Sequence, residues 1–282
     1  MEVNQMTTPC VGISTASNYS RMPVEDFLVD LKQNGVTDAE LFLNTFSEYT
    51  PEFFDLLKER VDSTGIRIHS IHPMSPQFEP QLFSGHPRQR ADAMKIFEAV
   101  LEGGKLLGAE RYVMHGSLDL HGQLQKYGSG RYVPVLSELC DVAASHGVQL
   151  TLENVSWCVF STPDVGETLI REVGDKLLYT LDVKQCYRSG RDADAYLDVI
   201  GPRIVNVHLC DYLRCDVPGG YKWKLPGEGE FDFTGFFRKM KGFGYQGPFI
   251  LEVYSNVYND LPDLYACYRN LKDMVGRVWS ES

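Results

Sequence analysis

The 282-residue chain has an ordinary globular composition, with 43% hydrophobic and 23% charged residues, which excludes a disordered, collagen-like or coiled-coil protein. Its 27 basic and 38 acidic residues give a formal net charge of −11, so we expect no nucleic-acid partner. The longest unbroken apolar run, 264–268, is too short to cross a bilayer, and the first residues show no secretory pattern. We therefore expect a cytoplasmic protein without a membrane partner.

The seven cysteines are scattered along the chain, and none of them forms a CxxC pair. This spacing supports neither a zinc ribbon nor a thioredoxin-like motif. We expect reduced thiols, as is usual in the cytoplasm.

Short β-rich runs alternate with helical patterns from one end of the chain to the other. The predicted strands are 11–15, 39–43, 66–72, 111–115, 148–153, 177–182, 203–208 and 248–253. Helices are predicted at Val24–Gln33, Glu52–Val61, Arg88–Leu107 and Val133–His146, and a last one carries an apolar stripe from Leu264 to Val278.

Eight strand–helix pairs average about 35 residues each, the usual size of a βα unit. An open, doubly wound sheet would alternate in the same way, but no GxGxxG motif follows the first strand. The sequence therefore predicts an α/β fold, with residues 1–282 forming a single (β/α)8 TIM barrel.

Four ionisable residues close the last four predicted strands: Glu153, Asp182, His208 and Glu252. Active sites of such barrels lie at the carboxyl ends of the strands, so these side chains should converge. Three crowded carboxylates repel one another, and a divalent cation is the simplest way to hold them together. The mixed oxygen and nitrogen ligands suit Mn²⁺ first, with Co²⁺, Mg²⁺ or Zn²⁺ as alternatives.

Histidines close two strands of the other half of the barrel. His72 and His115 are placed to bind substrate hydroxyls or a second metal. Glu40, near the start of the second strand, is expected to point to the bottom of the barrel or to pair with a helix. His69 lies three residues before His72, so it should face the opposite side and be structural.

Two aromatic residues offer a surface for a sugar ring. Trp157, four residues after Glu153, is either a sugar-binding wall or part of loop packing. Trp223 lies in the long segment between His208 and Phe233, which we expect to be a loop near the site.

These residues resemble those of the xylose isomerase-like superfamily, which includes sugar isomerases, ketose 3-epimerases, inosose isomerases and dehydratases, and apurinic-site endonucleases. The resemblance rests on segments 105–116, 148–154, 177–185, 204–211, 225–233 and 249–254. It implies that Glu153, Asp182, His208 and Glu252 bind one divalent metal and that the two glutamates also act as acid and base. It further implies substrate contacts for His72, His115 and Arg214, and dimeric or tetrameric assembly.

The chain departs from the family pattern at two places. Gln185 stands where many members have a histidine, although we still place it among the substrate-binding residues. His208 is the last histidine of the chain, so the three-metal site of the endonucleases cannot form.

The predicted reaction is proton transfer beside the carbonyl of a ketose, inosose or related small sugar, through a cis-enediolate. One alternative is a lyase that dehydrates an inosose or cleaves a modified sugar at the same site. Another is a sugar-binding subunit without catalytic activity.

Overall fold

The computed structural model describes residues 7–119, 130–216 and 220–281. Eight parallel strands form a closed barrel, as the alternating pattern predicts. They are β1 (Val11–Ser14), β2 (Asp38–Leu43), β3 (Arg67–Pro73), β4 (Arg111–Met114), β5 (Gln149–Glu153), β6 (Leu178–Asp182), β7 (Ile204–Leu209) and β10 (Phe249–Leu251). Their hydrogen-bonded order around the barrel is β1-β10-β7-β6-β5-β4-β3-β2.

Helices follow the strands and cover the outside of the barrel. They are α1 (Val24–Gln33), α2 (Pro51–Thr64), α3 (Glu79–Leu82), α4 (Pro87–Leu106), α5 (Tyr132–Ser145), α6 (Pro163–Val173), α7 (Val183–Arg188), α8 (Ala193–Ile200), α9 (Phe233–Gly242) and α10 (Leu261–Ser280). No helix in the described part of the chain is long and apolar enough to span a membrane.

The helix boundaries have local causes. Thr50 caps α2 by accepting a hydrogen bond from the Phe53 amide, and Pro51 occupies the first turn, where its missing N–H costs nothing. Gly65 ends the helix at φ 66°, a left-handed conformation that glycine adopts without steric penalty. The predicted stripe of α10 is buried at Leu264, Leu271 and Val278, against the barrel.

One element interrupts the regular alternation. The segment after β7, predicted as a loop, contains an antiparallel hairpin of β8 (Asp211–Arg214) and β9 (Tyr221–Lys224). Asp211 anchors the chain that follows, because its carboxylate accepts hydrogen bonds from the amides of Gly227, Gly229 and Phe231 at 2.9–3.0 Å. These hydrogen bonds therefore hold the segment after the hairpin against its first strand, at the carboxyl end of the barrel.

Candidate active site

The four residues predicted to form a metal site lie together at the carboxyl end of the barrel. Glu153, Asp182 and His208 belong to the adjacent strands β5, β6 and β7, and Glu252 follows β10, which neighbours β7. None of the four is more than 8% exposed. His208 Nδ1 lies 3.3 Å from Glu252 Oε2 and 3.7 Å from Glu153 Oε1.

One side-chain atom of each of these residues lacks a hydrogen-bond partner within the described structure. The atoms are Glu153 Oε2, Asp182 Oδ2, His208 Nδ1 and Glu252 Oε2. These atoms do lie near charged groups. His208 Nδ1, for example, is 3.3 Å from Glu252 Oε2, but the two atoms form an ion pair and not a hydrogen bond. Buried polar atoms are normally satisfied, so four unsatisfied ones from four strands need an explanation.

The local structure explains why Asp182 Oδ2 accepts no hydrogen bond. Asp182 is the N-cap of α7: its Oδ1 accepts a hydrogen bond from the Gln185 amide at 3.0 Å, so only Oδ2 remains available. Asn154 holds the strand end in place by donating to the Asp182 carbonyl at 3.0 Å and accepting from its amide at 2.7 Å. These two hydrogen bonds therefore fix the carboxyl ends of β5 and β6 relative to each other.

Our expectation that Glu40 points to the bottom of the barrel or pairs with a helix is wrong. It is fully buried inside the barrel, where its Oε2 lies 3.0 Å from His208 Nε2 and accepts a hydrogen bond from Ser70 at 2.7 Å. Pairing between β2 and β3 shifts register between Ala39 and Glu40, which places Glu40 beside Ser70. A proton on His208 Nε2 satisfies this contact, and a cation would bind at Nδ1 by displacing the proton there.

His72 and His115 join the same cluster. Their Nε2 atoms lie 3.0 Å apart, and His115 Nε2 is also 3.0 Å from Glu153 Oε2. His72 stacks on His208 with ring centroids 5.7 Å apart. His69 lies elsewhere, as expected, and contacts Asp38 at 2.7 Å.

Burial and neighbouring charges shift the carboxyl groups in different directions. Burial raises the pKa of Glu153, but the adjacent imidazoles of His115 and His208 outweigh it, and the pKa lies well below its usual range. At Asp182 burial dominates and raises the pKa to about 6, even though the ammonium of Lys184 opposes it. Glu153 therefore ionises at a lower pH than Asp182 does.

The histidines carry the complementary charge. Burial lowers the pKa of His72, but the neighbouring carboxylates of Glu252 and Glu40 outweigh it and raise the pKa to about 10. Burial likewise opposes protonation of His208, and its carboxylate neighbours raise its pKa well above the usual value.

Lys184 is a buried cation of the site that the sequence interpretation missed. It is 3% exposed, and its Nζ lies 3.4 Å from Asp182 Oδ2, 3.6 Å from Glu252 Oε1 and 4.5 Å from the centre of the Tyr254 ring. Lys184 lies two residues after Asp182, which closes β6. This position could have indicated its role, because the residues that follow a strand lie at the mouth of the barrel.

A cavity of about 370 Å³ opens above the cluster. It is lined by His72, His115, Glu153, Trp157, Gln185 and Glu252 from the predicted set, and also by Lys184 and Tyr254. The Gln185 side chain accepts a hydrogen bond from the Ser156 hydroxyl at 3.1 Å, and the Arg188 guanidinium lies 5.0 Å above the Trp157 ring.

Arg214 is not brought to this cavity. It lies at the end of β8 with a 69% exposed side chain, 3.7 Å from Glu230 Oε2. Trp223, in β9, stacks on Tyr221 and does not line the cavity either. Local spacing after His208 could not reveal this, because the hairpin turns the chain away from the strand end.

The residues present fit a divalent cation. Carboxylate oxygens and an imidazole nitrogen are suitable ligands for Mn²⁺, Zn²⁺ and related metals. Atoms of Glu153, Asp182 and His208 lie within 4.8 Å of one another, and so do atoms of Glu40, His72, His208 and Glu252. His208 belongs to both groups, and a cation bound beside it would give partners to buried atoms that lack one.

The closed barrel of eight parallel strands is a TIM barrel. Its buried cluster of carboxylates and imidazoles lies at the carboxyl ends of the strands, where the active sites of TIM barrels are found. The family model described as "Xylose isomerase-like TIM barrel" matches residues 28–267, and the chain belongs to this family.

Similar proteins include sugar enzymes. Fructoselysine 3-epimerase of Escherichia coli O157:H7 is 21% identical over 256 residues, covering 88% of this chain and 91% of that protein. Inosose dehydratase of Yersinia enterocolitica is 28% identical over 134 residues, covering 42% and 45%. The crystal structure of the IOLI protein with a zinc atom superposes with a TM-score of 0.79 at 18% identity, covering 96% of this chain and all of that one, which shows a shared fold.

Proposed function

We propose that the chain is a divalent-metal-dependent sugar isomerase or epimerase that acts at a carbon beside a carbonyl group. The observation that carries the proposal is the buried cluster of Glu153, Asp182, His208 and Glu252, each with one atom that lacks a hydrogen-bond partner, at a cavity that Glu153 and Glu252 line. Relatives named as a 3-epimerase and an inosose dehydratase support a sugar or inosose substrate. Mn²⁺ is the metal we expect first.

The two glutamates are placed for proton transfer. Glu153 Oε2 and Glu252 Oε2 lie 3.7 Å from opposite nitrogens of the His72 ring, Nε2 and Nδ1, and both residues line the cavity. One glutamate removes the proton beside the carbonyl, and the other returns a proton to the resulting enediolate. Return from the opposite face inverts C-3, whereas transfer between C-1 and C-2 interconverts an aldose and a ketose.

The remaining groups bind and stabilise the substrate. A divalent cation held by Glu153, Asp182, His208 and Glu252 would supply a Lewis acid for the negative charge that develops on the substrate oxygens. His115, Lys184 and Gln185 line the cavity beside these residues and are available to substrate hydroxyls.

The test is solvent exchange by the Glu153→Gln variant. Ketoses, inososes and their phosphates are incubated in D₂O with Mn²⁺-loaded protein, and incorporation of deuterium beside the carbonyl is followed by NMR. We expect the wild-type chain to exchange this proton and Glu153→Gln to lose exchange, because an amide cannot accept the proton.

Glu138→Gln is the matched control, since Glu138 is half-exposed on α5 and pairs with Arg90 away from the site. Metal content is measured for each variant, so that loss of the cation is separated from loss of the base. Exchange retained by Glu153→Gln would remove Glu153 from the base role. No exchange by the wild-type chain with any of these sugars would contradict the proposed function.

A lyase is the second candidate, and the partial similarity to inosose dehydratase favours it specifically. Dehydration starts with the same proton removal and then expels a hydroxyl group. Product mass distinguishes the reactions, because an isomerase conserves mass and a dehydratase product has lost one water.

A further inference from the structure

A second cavity lies beside the hairpin of β8 and β9, and we call it the hairpin cavity. Its volume is about 630 Å³, compared with about 370 Å³ for the cavity above the carboxylate–imidazole cluster. Residues 221–225, which contain β9, form one side of it, and Tyr254 and residues 256–259, which follow β10, form the other. None of the proposed metal ligands lines the hairpin cavity, and Tyr254 is the only described residue that lines both cavities.

Two aromatic rings of β9 line the hairpin cavity. Tyr221 and Trp223 are two residues apart in the strand, so they project from the same face of it. Their rings are nearly parallel, with an interplanar angle of 22° and centroids 5.8 Å apart. Both side chains are only partly buried. Partly exposed aromatic rings of this kind suit a ligand that has an apolar face.

Free amide groups lie on the other side of the hairpin cavity. Asn256 and Asn259 line it, and both residues are exposed. Neither side-chain amide makes a hydrogen bond to another residue in the described part of the chain. An amide offers both donors and an acceptor, so these two groups suit hydroxyls, which also donate and accept.

The ionisable groups of the hairpin cavity balance one another. Two lysines and two carboxylates line it, Lys222 and Lys224 with Glu228 and Asp263, so their formal net charge is zero. Lys224 Nζ lies 3.9 Å from Glu228 Oε2. An anionic ligand would meet two carboxylates here, and a cationic ligand would meet two ammonium groups. A neutral ligand with several hydroxyls can instead donate to the carboxylates and accept from the ammonium groups.

Both sides of the hairpin cavity are held in place by neighbouring segments. Arg21 donates to the carbonyls of Tyr258 at 3.0 Å and Asn259 at 3.3 Å, and its guanidinium lies 4.3 Å above the Tyr258 ring. The Tyr258 hydroxyl donates to the Ser17 carbonyl at 2.7 Å. On the other side, β9 pairs with β8 along its whole length. A cavity held in this way before a ligand arrives loses little conformational entropy on binding.

We propose that the hairpin cavity is a second binding site, which takes the pyranose ring of a neutral carbohydrate. A pyranose has faces of C–H groups that can pack on the rings of Tyr221 and Trp223. Its hydroxyls lie around the edge of the ring, where Asn256 and Asn259 can hydrogen-bond to them. This site goes beyond the proposed function, because it requires neither the metal ion nor the reacting carbonyl.

The test is calorimetric titration of the chelator-treated full chain with the methyl β-pyranosides of glucose, galactose and mannose. These glycosides have no free carbonyl group, so they cannot undergo the proposed proton transfer. We expect at least one of them to bind with a millimolar Kd, and to bind equally well to the Mn²⁺-loaded chain. Trp223→Ala should weaken this binding about three- to tenfold, as loss of an aromatic contact predicts.

Asn256→Ala is the second variant, because its exposed side chain can be shortened without disturbing the core. It should weaken the same binding about threefold or more, through loss of a hydrogen bond. Phe46→Ala is the matched control, since Phe46 is 53% exposed, contacts Tyr49 and lines neither cavity. It should leave the affinity unchanged.

Absence of binding by all three glycosides would overturn the proposal. Binding that survives both Trp223→Ala and Asn256→Ala would also overturn it, because the sugar would then lie elsewhere on the protein. The same holds for binding that is lost when the metal is removed, which would assign the sugar to the carboxylate–imidazole cluster. None of these results changes the outcome of the proton-exchange test, so the proposed function and the second site fail separately.

Discussion

One buried carboxylate, that of Glu40, contacts the Nε2 atom of His208. Glu40 lies 3.0 Å from His208 Nε2 and 3.4 Å from His72 Nδ1, and the amide of Asn206 donates to it at 3.1 Å. Burial raises the pKa of Glu40, but His208 and His72 outweigh it and hold the pKa well below its usual range. Glu40 is therefore an anionic positioning residue beneath the proposed metal ligands.

Glu40→Gln should weaken metal binding. An amide accepts a weaker hydrogen bond from His208 than a carboxylate does, and loss of such a partner typically costs about 10–100-fold in metal affinity. Calorimetric titration with Mn²⁺ at neutral pH measures the effect, and urea unfolding of the metal-free variant separates it from loss of fold. Unchanged Mn²⁺ affinity in a folded variant would show that Glu40 does not act through His208.

At the residue scale, chain order and strand-end position were enough to predict which four residues converge. They did not reveal Glu40 or Lys184. The alternation within β2 offered a partial signal, because Glu40 shares parity with Phe42, which lines the cavity. The register shift in the pairing of β2 with β3 decides the neighbours of Glu40, and such pairing is not encoded within either strand alone.

The amino ends of β2 and β3 are joined by a different kind of cluster. Asp38 accepts hydrogen bonds from Arg67 at 2.7 and 2.9 Å and from Thr37 at 2.6 Å, and His69 lies 2.7 Å away. Cys10 Sγ lies 3.2 Å from the same His69 nitrogen. Polar atoms here already have partners, in contrast to the free atoms at the carboxyl end. We therefore interpret this cluster as a stabilising one.

Asp38→Asn should lower the free energy of unfolding at pH 7 by about 1–3 kcal/mol, since buried His69 loses a charged partner. Burial raises the pKa of Asp38, but hydrogen bonds from His69, Thr37 and Arg67 outweigh it and lower the pKa overall. A lowered folded-state pKa stabilises the protein above the unfolded-state value of about 4, and this contribution is lost as pH falls below it.

Urea unfolding of both proteins between about pH 7 and pH 3 should therefore show the difference shrinking as the pH falls. Asp62→Asn is the control, because Asp62 is largely exposed and pairs with Lys58 on α2; it should change stability by less than about 0.5 kcal/mol. A difference that stays constant across this range would contradict the assigned role of Asp38.

At the scale of elements, hydrophobic periodicity was sufficient to predict the barrel strands and the long helices. Each predicted strand overlaps an observed one, and α1 has the predicted bounds. The hairpin of β8 and β9 was not predicted, because Pro226 and the glycines of its segment are typical of a loop. Asp211 organises that segment through backbone amides up to twenty residues away, a long-range contact without a local signature.

The whole molecule brings together ligands that are far apart in the chain. Glu153 and Glu252 are separated by about 100 residues, yet both contact His208 because β5, β6, β7 and β10 are consecutive around the barrel. A cation bound there would link four strands and offset the repulsion between their carboxylates. Metal binding should consequently stabilise the entire fold.

We expect Mn²⁺ at about 100 times its Kd to increase the free energy of unfolding by about 2.7 kcal/mol relative to chelator-treated protein. Thermal unfolding with EDTA and with added Mn²⁺ measures the shift. Asp182→Asn should abolish most of it, whereas Cys10→Ser, at the other end of the barrel, should leave it intact. A shift lost in Cys10→Ser but kept in Asp182→Asn would move the metal to the amino-end cluster.

The sequence by itself determined the alternating elements, the barrel and the four polar strand ends that converge. These properties depend on local periodicity and on chain order, and a parallel barrel turns that order directly into spatial order. Only the tertiary structure decided that Glu40 contacts His208, that Lys184 is buried beside Glu252 and that Arg214 is in an exposed hairpin. Those features depend on strand register, burial and contacts between distant segments, which no local pattern specifies.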